Sequence, residues 1–260
     1  SWLNFVWPFC WAVFLEKGNN FFKKTFAYGF LISTGFSAFL TFSRNAWLGL
    51  LTSIPIVTGK KGIVFLLPIL LFSILFLIFL FSPIITSDYQ DGLKNLLPEK
   101  IIREFSEEGY RGLDVTRLEI YKSATNVIIK NPFFGTGAAS FSEIFLLEKN
   151  FWKGHSHNLL FELSISYGLP SAILFFLTIT NIIYLSSIEI FIRNKSLSIS
   201  YFDRAFWAAL FFFLISQLTD IQYFDGKISI IAWVLIAGLK NIIEEKNGES
   251  VNIEEHIEIQ

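Results

Sequence analysis

An all-α, polytopic bundle of membrane-crossing helices is the fold class this sequence predicts, and three observations carry it. Hydrophobic residues fill 53% of the 260 positions and charged ones 17%, whereas soluble domains sit near about 45–50% and about 25%. The apolar residues gather in runs close to the roughly 20 needed to cross a bilayer. The lysines and arginines of the short connections fall in alternate ones, as they do in oriented membrane bundles. A net charge of −1 argues against a nucleic-acid partner, which demands a basic surplus. The single Cys10 leaves no internal disulfide and no cysteine metal cage. The chain has no Met and opens at Ser1 inside an apolar run. It therefore reads as the C-terminal part of a longer protein, with no signal peptide expected at its start.

In chain order, Trp2–Leu15 is a first, short span, Phe26–Phe42 a second and Ala46–Val57 a third, also short. Ile63–Ile85 is the clearest, with Pro68 tolerated inside it. A polar region follows from Thr86 to about Gly154. Pro170–Ile192, Ala205–Leu218 and Ile228–Leu239 are the fifth, sixth and seventh spans, and the charged tail from Lys240 is expected to fray. This divides the chain into four spans (1–85), a large, partly helical loop (86–157), a surface helix with three spans (158–240) and a tail (241–260).

Basic residues orient the bundle. Lys17, Lys23 and Lys24, then Lys60 and Lys61, then Arg193, Lys195 and Arg204, then Lys240 and Lys246 all fall on one side if each span crosses once. That side is cytoplasmic by the positive-inside rule. The outer side receives Ser43-Arg44-Asn45, the long loop, and Thr219 to Lys227.

Within the loop a helix is expected from Asp114, the candidate N-cap. Ile120, Tyr121, Ala124, Val127 and Ile128 follow Arg117 at helical spacing and make one apolar face; Thr116, Glu119, Ser123, Asn126 and Lys130 make the polar one. Asn131-Pro132 ends it. A turn with Gly135 and Gly137 comes next. His157 to Tyr167 reads as a short helix at the membrane surface, broken by Gly168 and Pro170.

Several residues admit both a functional and a plain reading. Arg44 is either an arginine reaching for headgroups or a bidentate anion site for a phosphate or pyrophosphate. Arg117 either pairs with a loop acid or joins Arg44 on the same anion. His155 and His157 could be surface histidines, or metal ligands if a carboxylate completed the shell. They could equally supply a general base, because neutral imidazole is available at physiological pH. Asn158 or Glu162 could orient a ring or bind a sugar hydroxyl. Gly135 and Gly137 form a turn, or expose N–H groups to an anion. Asp220 and Asp225 could bind hydroxyls or pair with arginines, and Asp220, nearer the end of a span, is the better candidate.

Ser43-Arg-x-Ala-Trp-Leu, Thr116-Arg-x-x-Ile-Tyr, Asn131-Pro-x-x-Gly-x-Gly, His155-x-His-Asn-Leu and Tyr167-Gly-Leu-Pro occur in this order. The series resembles the O-antigen ligase and polymerase superfamily of bacterial envelope proteins. The resemblance implies a multi-pass glycosyltransferase of the inner membrane with its site facing the periplasm. Its donor would be an undecaprenyl-pyrophosphate-linked glycan, and its acceptor the lipid A core or another glycan. It further implies His157 as the catalytic base and Arg44 and Arg117 as donor-binding residues. It implies no cofactor, nucleotide sugar or metal, and inversion of the anomeric centre. His155, Asn158 and Asp220 complete the expected substrate-binding set. A repeat-unit polymerase of the same superfamily stands as the alternative. A lipid-carrier or polysaccharide transporter is a third reading, and it predicts ionisable residues near mid-membrane; the spans are nearly free of them.

Overall fold

A computed structural model describes residues 2–41, 43–81, 88–96, 102, 115–193 and 200–258. All secondary structure among these is helical. The elements are α1 (Trp2–Leu15), α2 (Phe21–Leu40), α3 (Arg44–Thr58), α4 (Lys60–Phe81) and α5 (Asp88–Leu96), then α6 (Arg117–Lys130), α7 (Ser140–Lys149) and α8 (Leu159–Tyr167). The chain closes with α9 (Leu169–Ser187), prolonged by a π-helical turn to Arg193, then α10 (Tyr201–Ser216) and α11 (Gly226–Glu258). Among the described residues, three stretches are long and apolar enough to cross a membrane: Lys60–Phe81, Leu169–Arg193 and Gly226–Glu245. α1 is a shorter apolar helix.

α1 packs against α2, α3 and α10, and α10 against α3. The approach is close because α10 offers small residues: Ala205 and Ala208 are fully buried with Ala12 of α1 and Val57 of α3. Close backbone approach through small side chains is how helices pack where lipid removes the hydrophobic drive. Ala209, Leu210 and Phe213, on the same helix, join Phe5, Ile179, Leu235 and Leu239 in the largest core cluster. Outward-facing residues stay apolar, with Phe72 and Val64 of α4 strongly exposed, which suits a surface solvated by lipid.

α6 and α7 sit on α8 through Ile120, Ala124, Phe141, Phe145 and Ile165, all buried. The apolar face expected for α6 is therefore present. Asp114, the expected cap, lies outside the described residues. Thr116 caps the helix instead, in a reciprocal box in which its hydroxyl accepts from the Glu119 N–H and the Glu119 carboxylate accepts from the Thr116 N–H. Ser123, placed on the polar face, is buried, and its hydroxyl donates to Glu148 of α7 at 2.6 Å. A hydroxyl on an inward face needs only one acceptor to be tolerated there.

Two further expectations change. The tail does not fray at Lys240: α11 runs on to Glu258. The surface helix begins at Leu159, two residues later than expected, because His157 adopts φ +56°, outside helical space.

Candidate functional site

The two ends of different helices meet at the site. Helix N-termini carry unpaired N–H groups and helix C-termini unpaired carbonyls, and here each supplies the other. The Leu159 N–H, at the start of α8, donates to the Gln217 carbonyl beyond α10 at 2.9 Å. Asn158 caps α8 through its side-chain oxygen, which accepts from the N–H groups of Leu160 and Phe161. Its amide nitrogen donates to the Leu218 carbonyl at 3.1 Å. Asn158 thus ties α8 to α10 as well as ending the loop before it.

The loop is fixed from behind. Ser156 is fully buried; its N–H donates to Glu162 at 2.8 Å and its hydroxyl to the Asn158 carbonyl. Glu162, a candidate for orienting a ring, therefore holds backbone. On the opposite side the fully buried Gln217 accepts from the N–H groups of Gln222 and Tyr223 at 2.8 and 3.0 Å. This folds Thr219 to Tyr223 over the end of α10 and sets Asp220 in place.

Three side chains then converge. His157 Nδ1 lies 3.2 Å from Asp220 Oδ1, and His155 Nε2 lies 3.9 Å from the same oxygen. The two imidazoles meet edge to face, 4.4 Å between centroids. The His157 N–H donates to His155 Nδ1 at 3.2 Å. All three side chains are partly buried. The hydrogen bond from His157, with help from the positive side of both imidazoles, holds the Asp220 carboxyl below its usual range. Burial, then the neighbouring His157, pushes His155 below the ordinary histidine value, against the opposing pull of Asp220. His155 is therefore neutral near pH 7.

The donor atoms of His155, His157 and Asp220 lie within 4.8 Å of one another, close enough to share a cation. The tautomer opposes it. His155 Nδ1 accepts a backbone N–H, so the proton of the neutral ring sits on Nε2, the atom facing Asp220. A cation would need that nitrogen bare.

Arg44 and Arg117 stand at the first turns of α3 and α6, both exposed. Arg44 is brought towards the cluster by its neighbour: the Asn45 amide donates to Thr219 Oγ1 at 2.7 Å, and Thr219 precedes Asp220. Arg117 precedes Tyr121 by one turn, and the Tyr121 ring meets Phe161, in the first turn of α8, edge-on at 5.3 Å. Asp225 is an N-cap for α11, accepting from the N–H groups of Lys227 and Ile228. Gly135 and Gly137 belong to a backbone junction, since the N–H groups of Thr136 and Gly137 donate to the Ile165 and Ser166 carbonyls at the end of α8. Sequence reasoning missed Asn45 and Gln217. A lone glutamine ending the apolar run FFFLISQ was the available signal.

The sequence model of a family described as O-antigen ligase matches residues 29–176, more than half of the chain. This protein belongs to the O-antigen ligase family. No curated protein matches it. Family and apolar helices together make this ligase-family chain a membrane protein, and the family implies a glycosyltransferase of the ligase or polymerase type. The matched stretch contains Arg44, Arg117, His155, His157 and Asn158. Asp220 lies beyond it, so its place beside the histidines rests on the geometry alone.

Proposed function

We propose that this O-antigen ligase-family protein transfers a glycan from an undecaprenyl-pyrophosphate carrier to a periplasm-facing acceptor such as the lipid A core. In this reading His157 is the general base and Asp220 orients it. The observation that carries the proposal is the His157 Nδ1···Asp220 Oδ1 contact of 3.2 Å. A carboxylate on Nδ1 holds the proton there and leaves the Nε2 lone pair free, the same logic by which an Asp presents a His in hydrolytic triads.

The step balances without a cofactor. The acceptor hydroxyl gives its proton to His157 Nε2 while its oxygen bonds to the anomeric carbon of the glycan. The bond from that carbon to the pyrophosphate oxygen breaks, and the carrier pyrophosphate leaves with the electron pair. Attack from the face opposite the leaving group inverts the centre. Arg44 and Arg117 neutralise the departing pyrophosphate; guanidinium groups suit it because they offer fixed, paired donors. The remaining amide N–H of Asn158 faces the acceptor, and His155 holds the His157 backbone in place. The carrier tail has an apolar path: Phe39, Trp47, Leu50, Phe72 and Phe76 help to line a cleft of about 510 Å³, and Trp47 is one turn from Arg44.

Seven spans in the arrangement set by the basic loops would put Arg44, the 86–157 loop and Asp220 on the periplasmic face of the inner membrane. Transfer is tested with the full-length protein in detergent, carrier-linked glycan, lipid A core, EDTA and no nucleotide. A single glycan joined to lipid A core supports ligation. Carrier-linked glycan that lengthens instead assigns polymerisation. Absence of both with a folded protein and several acceptors overturns the reading.

A further inference from the structure

The corner between α6 and α7 ends in two bare aromatic rings. Phe133 is 71% exposed and Phe134 91%, more than a soluble surface needs from two adjacent large apolar residues. This corner is held rigidly against the foot of α9. The Leu169 N–H donates to the Pro132 carbonyl at 2.8 Å. Gly168, at φ +86°, lies so close that a side chain there would overlap the Phe133 carbonyl, and a side chain at Gly135 would overlap the Ile165 carbonyl. Both glycines are required by this backbone-to-backbone approach.

Leu169 is the first residue of a stretch long and apolar enough to cross the membrane, Leu169–Arg193. Whatever height the bilayer surface takes at the start of α9, the Phe133–Phe134 corner takes it too. Tyr167, 48% exposed, stands at the same junction, and Lys130, also exposed, ends α6 two residues before Pro132. Aromatic rings at the level of the headgroups, with a basic side chain reaching past them, are the composition of a membrane interface.

We propose that the Pro132–Phe134 corner is a lipid-seated wedge. Phe133 and Phe134 enter the boundary between headgroups and acyl chains beside α9, so the α6–α7 region rests on the bilayer and is not suspended in water. The wedge also fixes a height. The same loop satisfies the C-terminal carbonyls of α8, whose nine residues extend about 13 Å at 1.5 Å per residue. His157, at its other end, is held within that reach of the headgroups. The inference does not depend on the transfer chemistry.

A nitroxide at Phe134→Cys, in the Cys10→Ala background, tests it in the full-length protein reconstituted into vesicles of phosphatidylethanolamine and phosphatidylglycerol. Collision with oxygen and with a water-soluble nickel chelate is compared with a lipid-facing control at Leu174→Cys and a control in water at Lys149→Cys. The wedge predicts that oxygen dominates at 134 as at 174, with the opposite ratio at 149. Nickel dominating at 134 would overturn it. So would a label shielded from both reagents, which would mean that a second copy or another protein segment covers the corner. The same readings at Phe133→Cys guard against a local effect of one substitution.

Discussion

His157 is held in a left-handed backbone conformation, φ +56°, by a bond to its own neighbour, since its N–H donates to His155 Nδ1. That conformation is costly for a residue with a side chain, by about 1–3 kcal/mol, and persists where surroundings over-determine it. His155 accordingly acts as a positioning residue in this account. His155→Ala removes the acceptor and should lower transfer, while His155→Asn, whose Oδ1 can replace Nδ1, should restore most of it; equal loss in both would contradict the role. Asp220→Asn is expected to slow transfer by about 10- to 100-fold, the scale of one hydrogen bond to a charged group, with substrate affinity little changed. Acid should loosen this cluster. His155 has its folded pKa below its unfolded one, so the stability it contributes is complete above about pH 6.5 and is lost as pH falls below it. Asp220, also depressed, adds stability above about pH 3.9 that is lost at still lower pH. The melting midpoint in detergent should therefore drop between about pH 7.5 and about pH 5.5, and His155→Asn should flatten that drop.

At the scale of elements, two junctions carry the arrangement. Gln217 joins α8, α10 and the Asp220 turn. Gln217→Leu keeps the volume but leaves the half-buried N–H groups of Gln222 and Tyr223 without their partner, costing up to about 1–3 kcal/mol for each where water cannot reach it. A melting midpoint equal to wild type would show that the turn is held otherwise. Gly168→Ala should disrupt the other junction, both through its positive φ and through overlap with Phe133; thermal unfolding would register it. These junctions explain what the sequence could and could not reveal. Trp2–Leu15 was legible to the residue, because an apolar run ends where polarity begins. The motifs around Asn131-Pro132 and Tyr167-Gly168 were visible, but their meaning was not: they are the two halves of one contact, some 35 positions apart in the chain. The His157–Asp220 pair spans 63 positions, and no local spacing encodes such a distance. Asp114 is the stronger capping residue type by itself, and only the reciprocal bond from the Glu119 carboxylate makes Thr116 the cap.

At the scale of the whole molecule, glycan transfer requires one face of the membrane to gather the chemistry. The Asn45–Thr219 bond draws the start of α3 to the turn between α10 and α11, while α8 joins the end of α10. If every apolar helix crosses once, cysteines introduced at Lys60 and at Asp225 should be labelled from opposite sides by a membrane-impermeant reagent in intact cells; labelling from the same side would break the seven-span topology. The most direct measurement is the rate of glycan transfer by full-length wild-type and His157→Ala protein, each in detergent with matched thermal unfolding. His157 as general base predicts a loss of about 10²- to 10⁴-fold, the range general-base catalysis supplies. Transfer at the wild-type rate by a folded His157→Ala protein would remove the histidine from the mechanism, and the Asp220 pairing with it.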